Sequence, residues 1–224
     1  MEIPTHIQQA VQSNNRPTGD RERDRFRKPA EVLTFFQIEA GDKVGELNAG
    51  RGYVSGIVAA AVGTDGLVYA HISPLSVKRW KGDPIEKRLK KFPQNNMHSV
   101  VGEMESPNFP IELDKILIIM TYHDSVWTKV NRDLMNQSVF DALSSGGIYG
   151  ILDHHAQTGR GIDDCHSIHR IEKDFVVNEV LKAGFDLKDE SDLLENPDDN
   201  LTDMVFEKHI RDRTSRFLLR FKKP

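Results

Sequence analysis

One cysteine in 224 residues, Cys165, excludes an intrachain disulfide and a cysteine-built zinc cage. The chain has no run of about 18 apolar residues, so no segment reads as a membrane-spanning helix. Its start, MEIPTHIQQAVQSNNRP, lacks the basic-then-apolar pattern of a secretory leader. Lys and Arg number 30 against 34 Asp and Glu, and the net charge of -4 supplies no overall field for nucleic acid. The basic groups at 21–28 and 87–91 read as solvated helix faces. These absences set the expectation of a soluble, cytoplasmic protein with neither a membrane nor a nucleic-acid partner. No proline- or glycine-rich linker divides the chain, which predicts one α/β domain over 29–224. Residues 1–28 precede it as a polar arm, expected to be flexible or lid-like, with order beginning near Pro29.

The stretch VGELNAGRGYVSGIVAAAVGTDGLVYA, residues 44–70, reads as strand, glycine-rich turn, helix and second strand. Asn48, Gly50 and Gly52 permit a tight bend that lets a ligand approach the backbone. The helix over 53–62 then points its first amides at whatever lies above the turn. Two kinds of site begin this way, the dinucleotide-binding GxGxxG turn and the E/D-x-G-x-G-x-G turn of methyltransferases. The register Glu46-Leu47-Asn48-Ala49-Gly50-Arg51-Gly52 fits the second, with Asn48 at the first glycine. Asparagine tolerates the left-handed backbone region better than most residues.

Downstream, 97–101 reads as a third strand and 114–121 as a buried fourth, because five consecutive apolar residues suit an interior parallel sheet. A helix over 131–143, a turn at 144–147, a strand at 148–153, a helix at 173–183 and two late strands complete the series. Alternating strands and helices imply a mainly parallel sheet covered on both faces, here seven strands with an antiparallel last one.

Four blocks carry a resemblance: DRFRKPAEVLTFF at 24–36, ELNAGRGY at 46–53, TYHDSVW at 121–127, and GGIYGILDHHAQTGRG with the following SIHRI, within 146–171. On these, the chain from about Arg21 to Pro224 resembles a bacterial family of predicted class I S-adenosylmethionine-dependent methyltransferases. The resemblance implies a Rossmann-like α/β sandwich and S-adenosylmethionine as cofactor. By position it implies that Glu46, Asn48, Gly50, Gly52 and Tyr53 line the methionine end and that Glu103 meets the adenine. The acid that usually grips the ribose is absent, since residues 71–73 are HIS with Ile72 at its position. Ser73 and His71 are the remaining hydrogen-bonding candidates.

Methyl transfer from a sulfonium depends chiefly on positioning, with a base needed for hydroxyl or protonated amine acceptors. His123 and Asp124 follow the clearest strand, and His154 follows the next, so these three are the candidate catalytic residues. Tyr122, Trp127 and His155 are the candidate walls for a small-molecule acceptor. No metal is assigned, although His154, His155, His166 and His169 with Asp153, Asp163 and Asp164 offer imidazole and carboxylate donors. A homodimer is allowed. Two rival readings share the scaffold: a binding protein without normal catalysis, and a histidine- or metal-assisted lyase or isomerase.

Overall fold

The computed structural model describes residues 2–224. In chain order the elements are α1 (Thr5–Gln12), α2 (Thr18–Arg27), α3 (Pro29–Phe35), β1 (Lys43–Leu47), α4 (Tyr53–Val62), β2 (Leu67–Ile72), α5 (Pro74–Arg79), α6 (Pro84–Leu89), β3 (Met97–Val101) and β4 (Leu113–Ile119). They continue with α7 (Asp124–Trp127), α8 (Arg132–Ala142), β5 (Leu143–His154), α9 (Lys173–Lys182), β6 (Asp186–Leu194) and β7 (Arg216–Lys222).

The seven strands form one sheet in the order β3-β2-β1-β4-β5-β7-β6. Strands β3, β2, β1, β4 and β5 run parallel to one another, and β7 runs antiparallel to both β5 and β6. Side chains alternate between the two faces of each strand. Leu117 and Ile119 of β4 pack with α1, α3 and α4, whereas Ile116 and Ile118 pack with α8 and α9. Burial on both faces explains the unbroken apolar run of β4. Edge strand β6, with the sequence DLKDESDLL, is mostly exposed, and its charges protect the unpaired edge.

Residues 5–27 correct the expectation that order begins near Pro29. Helix α4 is buried on nearly every side, so its outer face needs a cover. Helix α1 supplies it with Ile7 and Ala10, which join the core. Helix α2 has no buried residue and is held by charge instead. Arg23 and Arg27 both meet Asp212 (2.8 and 2.9 Å), Asp20 meets Arg88 (2.7 Å), and Asp24 meets the buried Arg16 (2.7 Å).

The turn expected at 144–147 lies inside β5. Its register against β4 jumps from Leu113↔Leu143 to Lys115↔Ile148, so the turn-forming residues make an irregularity in the strand rather than a break before it. Helix α7 follows β4 where no helix was expected; four residues are too few to show a period.

Candidate functional site

A cleft of about 1160 Å³ opens at the carboxyl ends of the parallel strands, where the sheet order reverses between β1 and β4. Helix α2 forms one wall with Asp20, Arg23 and Arg27.

The floor of one end is the β1–α4 turn. Asn48 (φ 53°), Gly50 (φ 61°) and Gly52 (φ 73°) all adopt left-handed backbone, which few residues other than glycine and asparagine occupy readily. A Cβ added at Gly50 would meet no atom within 4 Å among the described residues, so the space above it is free for a ligand. The turn is braced from behind by His71, whose Nδ1 accepts from the Asn48 amide (3.1 Å). Its Nε2–H therefore donates to the Gly102 carbonyl (2.9 Å). Burial lowers the His71 pKa to about 4, against the opposing pull of that carbonyl, and the ring is neutral.

Glu46 lies near the end of β1, beside the turn, and is 4% exposed. Burial raises its pKa to about 7, although hydrogen bonds from Ser55 and the charges of Arg88 and Arg27 act in the opposite sense. Its carboxyl accepts from the Ser55 hydroxyl of α4. Tyr53, at the start of α4, donates to Asp24 of α2 (2.7 Å) and lies under the Arg27 guanidinium (4.8 Å to the ring centroid).

At the position of the usual ribose acid, Ile72 is fully buried. Ser73 lines the cleft, but its hydroxyl caps α5 by accepting from the Ser76 amide (3.2 Å). Glu103 lines the same end.

The other end is built from histidines. His123 Nδ1–H donates to Asp153 (2.7 Å), a fully buried carboxylate that also accepts from the His123 and His154 amides (2.9 and 2.7 Å). His123 Nε2 faces His169 Nδ1 (3.2 Å) and Asp124 Oδ1 (3.2 Å). Burial alone would lower the His123 pKa, but the charge of Asp153 and the bonds to Asp124 and Asp153 push it up to about 10. Asp124 is held well below the usual carboxylate range: burial opposes this, and hydrogen bonds from His123, His169 and Trp127 prevail. His154 is the opposite case. Burial, then the positive charges of His123, Arg216, Arg170 and Arg27, push its pKa well down, and Nδ1 lies 2.7 Å from the Thr214 hydroxyl. One end of the cleft thus holds a cationic and a neutral imidazole with ring centroids 5.8 Å apart.

The structure brings Glu46, Asn48, Gly50, Tyr53, Ser73, Glu103, His123, Asp124, Trp127 and His154 to this cleft. Gly52 shapes the turn from behind, where a Cβ would press on Arg88, Ile85 and Met97. Two residues expected at the substrate lie elsewhere. Tyr122 is fully buried, donating to Glu179 (2.9 Å) and accepting from Asn136 (2.8 Å), because its side chain enters the α8–α9 core. His155 packs its ring on Phe217 (5.1 Å) outside the cleft. Sequence reasoning missed the cleft residues Thr121 and Phe206; Arg23 and Arg27, also at the cleft, lie in the arm expected to be flexible or lid-like. It also missed the bracing role of Asp153, signalled only by its place before a double histidine. The Oγ1 of Thr121 is buried without a hydrogen-bond partner among the described residues.

The architecture aligns with a SAM-dependent methyltransferase from Aquifex aeolicus over 96% of this chain and 97% of that one, at TM-score 0.67 and 14% identity. The chain has the Rossmann-like methyltransferase fold. The methyltransferase fold also aligns with the glycopeptide N-methyltransferase MtfA complexed with sinefungin (TM-score 0.60, 16% identity, 89% of this chain and 86% of that one). It aligns equally with the [4+2]-cyclase SpnF (TM-score 0.65, 12% identity, 89% and 80%). No protein-family model and no curated protein sequence matches the chain. Among the described residues no helix is long and apolar enough to cross a membrane.

Proposed function

We propose that the protein binds S-adenosylmethionine and transfers its methyl group to a small molecule held in the same cleft. The observation that carries this reading is the β1–α4 turn. Three alternate residues, 48, 50 and 52, are left-handed, and the turn opens at Gly50 onto free space with the Glu46 carboxyl beside it. A buried carboxyl poised near neutrality suits the ammonium of a methionine moiety, which would draw it into the charged form. Arg23 and Arg27 line the cleft and offer guanidinium groups to the methionine carboxylate, and Thr121 lines it too, its buried hydroxyl without a partner among the described residues. The ribose end fits less well, because Ile72 offers no hydrogen bond and leaves Ser73 and Glu103 as the polar groups there.

The cofactor supplies an electrophilic methyl on a good leaving group. The chain's part is to place the acceptor in line, as the positions of His123, Asp124 and His154 beyond β4 and β5 permit. His123 and His154, a cationic and a neutral ring, are the contacts that orient the acceptor. A cleft walled by helix α2, in a chain of net charge -4, favours a small acceptor over nucleic acid.

Calorimetric titration with S-adenosylmethionine and with its demethylated product tests the cofactor assignment. Absence of heat and of any thermal shift at millimolar cofactor, in folded protein, would overturn it. The buried Ile72 favours a second reading, in which the fold serves a different reaction of the lyase or isomerase class, as SpnF, a [4+2]-cyclase, shows is compatible with this architecture. Incubation with methyl-labelled cofactor separates the two readings, since only the first moves label to an acceptor.

A further inference from the structure

Three side chains converge at the histidine end with a spacing that hydrogen bonding alone does not require. The separations are 3.2 Å for His123 Nε2 to His169 Nδ1, 3.2 Å for His123 Nε2 to Asp124 Oδ1, and 3.5 Å for His169 Nδ1 to Asp124 Oδ1. A first-row ion with bonds of about 2.0–2.1 Å places adjacent donor atoms roughly 2.8–3.0 Å apart in octahedral geometry and roughly 3.3–3.4 Å apart in tetrahedral geometry. The triangle therefore has the size of one face of such a coordination shell. The donor set, two imidazoles and one carboxylate, suits zinc, iron or nickel better than magnesium or calcium.

The surroundings support the same use. Asp153 takes the Nδ1–H of His123, leaving Nε2 as the atom that turns to the cleft and gives up its proton when an ion binds. A carboxylate behind a histidine in this way fixes its tautomer and strengthens it as a donor. His169 sits in left-handed backbone (φ 59°), a conformation rare outside glycine and asparagine, and this aims its ring at His123 with an interplanar angle of 88°. Trp127 donates to the same Asp124 oxygen (2.8 Å) and stands beside His169, while Phe206 covers the ring of His169 at 4.9 Å. All three donor residues line the cleft.

We infer that His123, His169 and Asp124 bind one divalent first-row transition-metal ion, whose open coordination positions face the cleft and take an acceptor through adjacent oxygen atoms. The ion site stands on these residues whatever cofactor the β1–α4 turn holds. Chelation of the acceptor rests on the methyl-transfer reading, where a bound ion would lower the proton affinity of an acceptor hydroxyl.

Protein stripped with a chelator and dialysed is titrated with Zn²⁺ by calorimetry and with Co²⁺ by visible absorption. The expected result is one equivalent of either ion, with a d–d spectrum of nitrogen and oxygen ligation. His169→Ala and Asp124→Asn each lower affinity by at least 100-fold, and Asp153→Asn, which removes no donor, lowers it about 10- to 100-fold. His209→Ala, which breaks an exposed pairing with Asp203, leaves binding unchanged. Circular dichroism and melting of the metal-free variants establish that each is folded, and Asp124→Asn, which keeps the side-chain shape, is decisive if an alanine variant is not. Folded wild type that takes up less than a tenth of an equivalent at micromolar Zn²⁺ overturns the site. So does binding that survives both His169→Ala and Asp124→Asn, or that disappears in His209→Ala. These results are read without S-adenosylmethionine, so failure here leaves the cofactor assignment standing, and failure of cofactor binding leaves the ion site standing.

Discussion

Glu46→Gln keeps the shape of a buried side chain and removes its charge, which turns one pKa into a measurable stability. In the folded protein burial raises the carboxyl from 4.5 to about 7. The unfolded chain titrates near the lower value, so between the two the folded state holds more protons than the unfolded state. Unfolding free energy therefore falls as pH rises through this window, and the loss is complete above pH 7. At about 1.4 kcal/mol per unit, Glu46 contributes to wild type a loss on the order of 3 kcal/mol that is absent from Glu46→Gln. Urea denaturation of both proteins at several pH values from 4.5 to 8 reads the difference directly. The variant should gain on wild type by about 3 kcal/mol across that range. A difference that stays flat would show that Glu46 is ionised throughout and that its burial is offset by charges. The functional counterpart has the opposite sign. A cationic ligand group favours the ionised carboxyl, so S-adenosylmethionine affinity should rise with pH up to about 7, and Glu46→Gln should lose both affinity and slope.

Gly50→Val places a β-branched residue at φ 61° and fills the open space above the turn, so cofactor binding is lost and stability falls by roughly 1–2 kcal/mol. Calorimetry on the folded variant checks it, and retained affinity would remove the turn from the site. Asp199→Ala strands the fully buried Arg170, which donates to both oxygens of Asp199 (3.0 and 2.9 Å), and should cost about 3–5 kcal/mol in chemical denaturation. A loss below 1 kcal/mol would mean that the Asp203 and His155 carbonyls, which Arg170 also reaches, suffice for it. Asp212→Asn frees Arg23 and Arg27 and should weaken cofactor binding while the melting temperature changes little, because α2 buries no side chain. A melting loss comparable to that of Ile7→Ala, on the order of 2–5 kcal/mol, would show that α2 is part of the core.

The sheet was legible because its strands announce themselves. The apolar run of β4 and the alternation of strands with helices leave few topologies, and the last antiparallel strand follows from an apolar segment near the C-terminus. The β1–α4 turn was legible too, since Asn48, Gly50 and Gly52 are residue types that left-handed backbone selects. Helix α1 was missed although Ile3, Ile7, Ala10 and Val11 have helical spacing; a helix of eight residues with mixed polarity is stabilised by what it covers, here α4, and not by its own pattern. Helix α2 was read only as a solvated basic face within a polar arm, because its anchor Asp212 lies 185 residues from Arg27. The histidine end was half legible. His123 and His154 were placed by the strands they follow, whereas His169 reaches them through a loop whose path only tertiary structure fixes. Tyr122 illustrates the limit, for neighbours on the chain, Tyr122 and His123, point into the core and into the cleft.

The brace behind the turn has one more consequence, for acid response. His71, lowered to about 4, holds fewer protons in the folded than in the unfolded chain, so it favours stability increasingly as pH rises from about 4 to 6.5. Glu46 acts in the reverse sense over nearly the same interval. The two slopes are similar in size and opposite in sign, so within the turn they offset each other: mild acidification moves a proton balance between the two groups with little net change from this pair.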